Sequence, residues 1–231
     1  MLRAFLFSII LGSPAFAETH ETFIGEAREK GVLVYTEKHS VTKNANGQPV
    51  EAVTNYVSPD GKVLGVLRSN FKDSLNLPEH TFEDERTKAK YGIRRSGTKV
   101  EMFSQEGNEP EKTKVLENDD ATERLQVGCQ GFNYYLFGKV DQIKEKKYLP
   151  VLFMIPGELS SYKFELEFIK DNPDQTVDFT VKIESWFLRL FAPKLEFRYD
   201  RKINRIVWYK GLSNIKNDKG KLMDVVIDYK Y

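Results

Sequence analysis

The segment YKFELEF (residues 162–168) alternates strictly between apolar or aromatic and charged side chains. The segments VDFTVKI (177–183), LEFRYD (195–200) and DVVIDYK (224–230) follow the same two-residue period. This period places the apolar side chains of a strand on one face and the charged ones on the other. A sheet with one wet face is typically antiparallel, because parallel sheets are covered by helices on both faces. The sequence therefore predicts antiparallel strands with one buried face.

Turn-forming residues separate the strand-like segments. Gly, Asn and Asp tolerate the positive φ angles of tight turns, and Pro presets the first corner. Such residues stand at 46–47, 59–61, 96–97, 172–174 and 218–220. In the first half they predict hairpins built from residues 32–41 and 50–58, then 63–71, then 91–95 and 99–104. The expected fold class is mainly β: a strongly curved antiparallel meander, open as a half-barrel.

Three segments depart from the two-residue period. Residues 131–147 carry apolar side chains at helical spacing and end in a lysine-rich turn, which suits the negative end of a helix. Residues 185–192 begin with Ser185, a good helix cap, and stop before Pro193. We expect one or two short helices on the concave face of the sheet. The charged residues 105–120 predict an exposed loop.

The first 17 residues have the pattern of an export signal. Arg3 precedes an apolar run at residues 4–11, and Ala15-Phe-Ala17 is a small-x-small cleavage pattern. A spanning helix needs about 20 apolar residues, so the run is too short for a membrane anchor. We expect cleavage after Ala17, giving a periplasmic or secreted protein. The mature chain, residues 18–231, is expected to be one domain without a membrane span.

The charge balance argues against two classes of partner. The chain has 35 basic and 34 acidic residues, and removal of Arg3 with the signal leaves 34 of each. A chain without excess positive charge offers no electrostatic basis for binding nucleic acid or an anionic membrane. Neither partner is expected.

The sequence contains no recognisable constellation for catalysis, metal binding or cofactor binding. The histidines stand alone, without the spacing that puts two ligands on one face. His80 with Glu83 and Asp84 is the nearest approach to a metal cluster, and we interpret it as a solvated loop. There is no Gly-x-Ser-x-Gly elbow, phosphate loop or dinucleotide fingerprint. We therefore expect no catalytic residue, cofactor or metal.

The chain has one cysteine, Cys129, which has no partner for a disulfide within the chain. Its sequence neighbours include no Lys, Arg or His that would lower the thiol pKa. We expect a buried, unreactive free thiol.

The apolar face of the predicted sheet is the remaining candidate for a binding surface. A curved sheet must cover its apolar face, and the two predicted helices are the candidates for that cover. If they cover it loosely, a lipid-sized groove lies beneath them; if they fill it, the same residues form an ordinary core. The residues expected to line such a groove are Phe132, Tyr135, Leu136, Trp186 and Leu190.

An export signal, a long meander and an embedded helix resemble the half-barrel of the periplasmic lipoprotein-carrier superfamily, and uncharacterised periplasmic β families of similar outline. The run LEFRYDRKINRIVWYKGLSNI (195–215) is similar to the late strands of such domains. The resemblance implies a non-enzymatic protein that binds a lipid or a lipidated partner in its concave face. The alternative is an envelope structural or protein-interaction domain with a closed core and no small ligand.

Overall fold

The computed structural model describes residues 18–97, 99–116, 125–136, 138–185 and 194–231. The described chain is mainly β, and its strands form one 15-stranded sheet. The strands of the first half are β1 (Thr19–Glu29), β2 (Val32–Lys43), β3 (Pro49–Val57), β4 (Val63–Asn70), β5 (Glu79–Asp84), β6 (Lys90–Ser96), β7 (Lys99–Gln105) and β8 (Lys112–Val115). Those of the second half are β9 (Leu125–Gly128), β10 (Tyr148–Ile155), β11 (Ser160–Asp171), β12 (Thr176–Ile183), β13 (Leu195–Asp200), β14 (Arg205–Lys216) and β15 (Leu222–Lys230).

The sheet consists of two meanders joined at their long strands. Its order is β8-β7-β6-β5-β4-β3-β2-β1-β15-β14-β13-β12-β11-β10-β9. The strands β1 and β15 pair antiparallel in the middle, with Gly25 opposite Tyr229. Among the described pairs, only β9 with β10 is parallel. The predicted antiparallel meander and its hairpins are confirmed.

The two halves of the sheet, β1–β8 and β9–β15, are called its first and second arms, and they curve toward each other. The amide of Gly128 donates a hydrogen bond to the carbonyl of Asn76 (3.1 Å), which links the two arms. The Ser104 hydroxyl donates to the carbonyl of Gly157 at 3.4 Å. In the described chain no strand pairing joins β8 to β9, so the sheet is strongly curved but not closed. This is the predicted half-barrel.

The predicted alternation decides which side chains are buried in the second arm. Phe164 and Leu166 of β11 are buried, whereas Lys163, on the opposite face of the same strand, is exposed. The same faces of the next strands bring the rings of Phe179 and Phe197 into a stack with centroids 5.4 Å apart. Cross-strand aromatic contacts of this kind stabilise a sheet beyond the area that they bury.

The interior contains two large core clusters: the first-arm core combines β1–β5 with β14 and β15 of the other arm, and the second-arm core combines β9–β13 with two short helices. The first-arm core consists of Ala27, Tyr35, Tyr56, Leu67, Phe82, Ile215, Met223, Val225 and Ile227. The second-arm core consists of Val127, Tyr135, Leu136, Val140, Ile143, Leu149, Val151, Phe164, Leu166, Val177, Phe179, Val181, Phe197 and Tyr199.

Two short helices, α1 (Gly131–Leu136) and α2 (Val140–Lys146), cover the concave face. The sequence predicted one helical stripe over residues 131–147. The break falls at Gly138, whose φ of +74° is left-handed and incompatible with a continuing right-handed helix. The other predicted helix, residues 185–192, falls almost entirely outside the described residues.

The charged segment 105–120 is not simply a loop, as the sequence analysis expected. Residues Lys112–Val115 form the edge strand β8, which pairs antiparallel with β7 and is exposed along its length. The pattern was misleading because an edge strand with little buried surface needs no apolar alternation. Its lysines are typical of natural sheet edges.

Candidate functional site

A cavity of about 270 Å³ is lined by residues from both core clusters and from α1. Its volume is close to the lower end of the range of small-molecule sites, roughly 300–1,000 Å³. Eleven of the 24 described lining residues are Phe or Tyr. These aromatic residues are Phe23, Tyr35, Tyr56, Phe71, Phe132, Tyr134, Phe153, Phe197, Tyr209, Tyr229 and Tyr231.

The two-residue period of the first-arm strands builds one wall. On β2 it directs Tyr35, Glu37, His39 and Val41 to the same face, and all four line the cavity. In the register of β2 with β3, His39 lies directly opposite Thr54. The wall is therefore mostly apolar but contains a short polar stripe.

The aromatic side chains pack on one another around the cavity. The ring of Phe23 stacks on His39 (centroids 4.2 Å apart) and on Tyr231 (4.6 Å). On the opposite side, Phe132 of α1 contacts Phe197 edge to face at 5.3 Å. Rings that support each other in this way keep their orientation, so the cavity is largely preformed.

The polar stripe is a chain of hydrogen bonds. The Gln130 side-chain amide donates to Thr54 Oγ1 (2.7 Å), which lies 2.8 Å from His39 Nδ1. His39 Nε2 lies 3.0 Å from Glu37 Oε2, which also accepts a hydrogen bond from the Tyr229 hydroxyl (3.2 Å). Glu37 itself is only 5% exposed.

The direction of this chain assigns the tautomer of His39. Thr54 is fully buried and accepts from Gln130, and within the described residues His39 Nδ1 is the acceptor left for its hydroxyl proton. With the Thr54 hydroxyl donating to Nδ1, the imidazole carries its proton on Nε2 and donates it to Glu37. Among the described residues, His39 is the only basic side chain within ion-pair distance of Glu37, at 3.0 Å, and no Lys or Arg reaches this carboxylate.

The tyrosines around Glu37 experience its field. Burial raises the pKa of Tyr35, Tyr56 and Tyr229 well above the usual range, and the charge of Glu37 raises the pKa of each further. The same two causes, in the same order, raise the pKa of Tyr209. A second negative charge is therefore strongly disfavoured in this cavity.

Cys129 also lines the cavity. The thiol is free and lies in a buried environment, while the residue as a whole is half-buried. Burial raises the pKa of the thiol to about 12, with a further contribution from Glu37. Activated cysteine nucleophiles have a lowered pKa, so the cavity does not favour thiolate chemistry.

The rim of the cavity is partly solvent-exposed at Tyr231 (45%) and Leu212 (36%). Beside it, Glu21 forms ion pairs with both Lys43 and Arg205. The guanidinium carbon of Arg205 lies 5.9 Å from the centroid of the Tyr231 ring. The cations nearest this rim thus share one carboxylate and lie outside the lining.

The predicted groove residues separate into three groups. Phe132 lines the cavity. Tyr135 and Leu136 do not; they pack in the second-arm core, where Leu136 is fully buried. Trp186 and Leu190 lie outside the described residues. The cavity is therefore lined chiefly by strands, with α1 contributing one edge.

His80 was predicted to lie in a solvated loop with Glu83 and Asp84, and this was wrong. His80 lies in strand β5 and is 4% exposed, with Nδ1 3.2 Å from the carbonyl of Pro78. The alternation of β5 buries His80 and Asp84 on one face and leaves Glu83 half-buried on the other. Asp84 pairs with Arg86 at 2.8 Å.

Burial of His80 predicts a loss of stability in mild acid. Burial lowers the pKa of His80 to about 4, whereas an unfolded chain has a histidine pKa near 6.5. The unfolded state therefore binds the proton first, and stability falls as the pH drops below 6.5. We expect about 2 kcal/mol of this loss between pH 7 and pH 5. Urea unfolding at both pH values should show this decrease in unfolding free energy in the native protein and not in His80→Gln. An equal decrease in the two proteins would contradict the assignment to His80.

The sequence analysis missed Glu37 and His39. A signal was present, because Tyr35, Glu37, His39 and Val41 stand at successive alternate positions of one strand. A charged residue within an inward-facing series is uncommon unless its charge has a role. The alternation was not recognised because the intervening residues Thr36 and Lys38 make the segment look uniformly polar.

The described residues bring together no group of three His, Cys, Asp or Glu side chains that could hold a metal ion. Among the described helices, none has both the length and the apolar composition required to cross a membrane.

No protein-family model matches the sequence, and no curated protein matches it. Among solved structures, the chain is similar to a β-barrel-like protein of the domain of unknown function DUF1849 from Brucella abortus. The two chains are 12% identical and superpose with a TM-score of 0.35, over 91% of this chain and 95% of that one.

Proposed function

We propose that the protein is exported to the periplasm, with cleavage after Ala17, and there binds the apolar part of a lipid or lipidated partner. The cavity between the two cores is the binding site. N-terminal sequencing of the mature protein tests the export step, for which the expected first residue is Glu18.

The observation that carries the proposal is an aromatic cavity with a solvent-exposed rim. Protein interiors are packed to the density of organic crystals and contain few voids larger than a water molecule. A preformed space of about 270 Å³ with an apolar wall and a few convergent polar groups instead has the composition of a ligand site. Transfer of an alkyl chain into it would gain about 0.8 kcal/mol per buried methylene group.

Leu212→Trp should block this site without unfolding the protein. Leu212 lies at the rim and is already 36% exposed, so a larger side chain has room to bend across the opening. We expect the native protein to bind the uncharged dye N-phenyl-1-naphthylamine saturably. The variant should bind it about tenfold more weakly, a change of about 1.4 kcal/mol. Its unfolding free energy should change by no more than about 0.5 kcal/mol.

Leu222→Trp is the matched control. Leu222 is 44% exposed on the neighbouring strand β15 and is not among the lining residues. Dye binding should be unchanged in this variant. Absence of saturable binding in the native protein would favour the alternative function, an envelope interaction domain with no small ligand.

A further inference from the structure

The lining of the cavity contains buried acceptor atoms, Gln130 Oε1 and Asn133 Oδ1, to which the described chain supplies no donor; the Tyr35 hydroxyl is buried without a partner as well. Both hydrogen bonds to Glu37 end on Oε2, and none within the described residues reaches Oε1. Gln130 donates its amide to Thr54, while its Oε1 is buried without a partner in the described chain. A buried acceptor without a donor is destabilising, so such groups are rare unless a ligand or water completes them.

The charge of the lining is one-sided. Glu37 is the only carboxylate among the described lining residues, and those residues include no Lys or Arg. The nearby cations, Lys43 and Arg205, are paired with Glu21 outside the lining. A ligand that enters therefore meets a buried carboxylate that no Lys or Arg of the described lining neutralises, surrounded by aromatic rings.

We propose that the ligand is a primary amine carried on an apolar body, bound with its ammonium group at Glu37 and its apolar part among the aromatic side chains. A protonated primary amine has three N–H donors and the charge opposite to that of Glu37. Aromatic faces attract cations in addition, as in known sites for organic ammonium ions. A fatty acid would instead bring a second carboxylate beside Glu37, which is unfavourable in a low-dielectric cavity.

This inference rests on the proposed function, since it names the chemical class of ligand for the same cavity. Three ten-carbon probes separate the two claims: decylamine, decanol and decanoate, titrated calorimetrically at pH 7 below their micellar concentrations. At that pH the amine is cationic and the acid anionic. We expect decylamine to bind about tenfold or more tightly than decanol, and decanoate more weakly than decanol.

Each outcome decides one of the claims. Binding of decanol with no preference for decylamine, or a preference for decanoate, would overturn the amine assignment and leave the apolar site standing. Failure of all three probes to bind would overturn the site itself. A phospholipid source of the ammonium is distinguished by lysophosphatidylethanolamine: if it binds more tightly than lysophosphatidylglycerol, the amine belongs to a lipid headgroup, and if only decylamine binds, it is a free amine.

The variant Glu37→Gln locates the preference. It retains acceptors for His39 and Tyr229 but removes the charge, so decanol binding should persist while the advantage of decylamine falls to less than about threefold. Glu51→Gln is the control, because Glu51 is exposed on the adjacent strand β3. It should keep the full preference. An undiminished preference in Glu37→Gln would contradict the proposal, and the ranking of probes on the native chain decides the question even where this variant fails to fold.

Discussion

Replacement of Gly92 by alanine should destabilise the domain by about 3 kcal/mol or more, although it adds a single methyl group. A Cβ at this position would lie 1.8 Å from the carbonyl oxygen of His80 and 2.8 Å from its carbonyl carbon. Both atoms belong to the backbone of β5, which pairs with β6 around Gly92. The clash can be relieved only by separating the two strands, because backbone atoms in a ladder cannot rotate away.

Gly157→Ala is the matched control. At Gly157 the nearest atoms to a new Cβ belong to the ring of Tyr91, at 3.6 Å, which is ordinary van der Waals contact. The change should leave stability within about 1 kcal/mol of the native value, with a small gain from the stiffer unfolded chain. Chemical denaturation of both variants measures the difference. Similar midpoints would mean that β5 and β6 are not paired in the described register.

Phe164→Asp should cost about 4 kcal/mol or more and leave little folded protein at 37 °C. Phe164 is 8% exposed in the second-arm core, 6.0 Å from the ring of Phe153 and opposite the fully buried Val151. A carboxylate there would have no cation and no hydrogen-bond donor in an apolar cluster. The large ring would also be lost, which adds the free-energy cost of a cavity.

Lys163→Asp provides the comparison, since it introduces the same residue one position earlier on the exposed face of β11. Its low strand propensity should reduce stability by no more than about 1 kcal/mol. Thermal melts followed by circular dichroism measure both variants. If both lost the same stability, the alternation that defines the buried face of β11 would be misread.

Local sequence patterns were sufficient to predict most of the secondary structure. The period of two and the turn residues gave the fold class, the hairpins and the buried face, because these depend on neighbours along the chain. The split of the predicted helix into α1 and α2 depended on one residue, Gly138, in a left-handed conformation. A glycine inside a helical pattern does not reveal which conformation it adopts.

The arrangement of the strands in space was harder to predict from the sequence. Nothing local indicates that β1 pairs with β15, because this contact joins opposite ends of the chain. The parallel pairing of β9 with β10 depends on how α1 and α2, which connect the two strands, pack on the sheet. The short strand β8 was interpreted as a loop for a different reason: it is exposed along its length, so its pairing with β7 leaves no apolar pattern in the sequence.

The candidate site shows the same limit. Phe132 lines the cavity, whereas Tyr135 and Leu136, on the same helical stripe, pack in the second-arm core. The polar centre of the cavity combines Glu37 and His39 with Gln130, a residue more than 90 positions away in the chain. The sequence alone provides no reason to connect them.

We expect a ligand to occupy the space between the two core clusters. Methyl-labelled protein titrated with decylamine and followed by NMR tests it most directly. The account predicts saturable shifts at the methyl groups of Val41, Leu67 and Ile227, which line the cavity, and little change at Leu166 and Val177 in the second-arm core. Shifts centred on Leu166 and Val177, or no saturable shift at the cavity methyl groups, would contradict it.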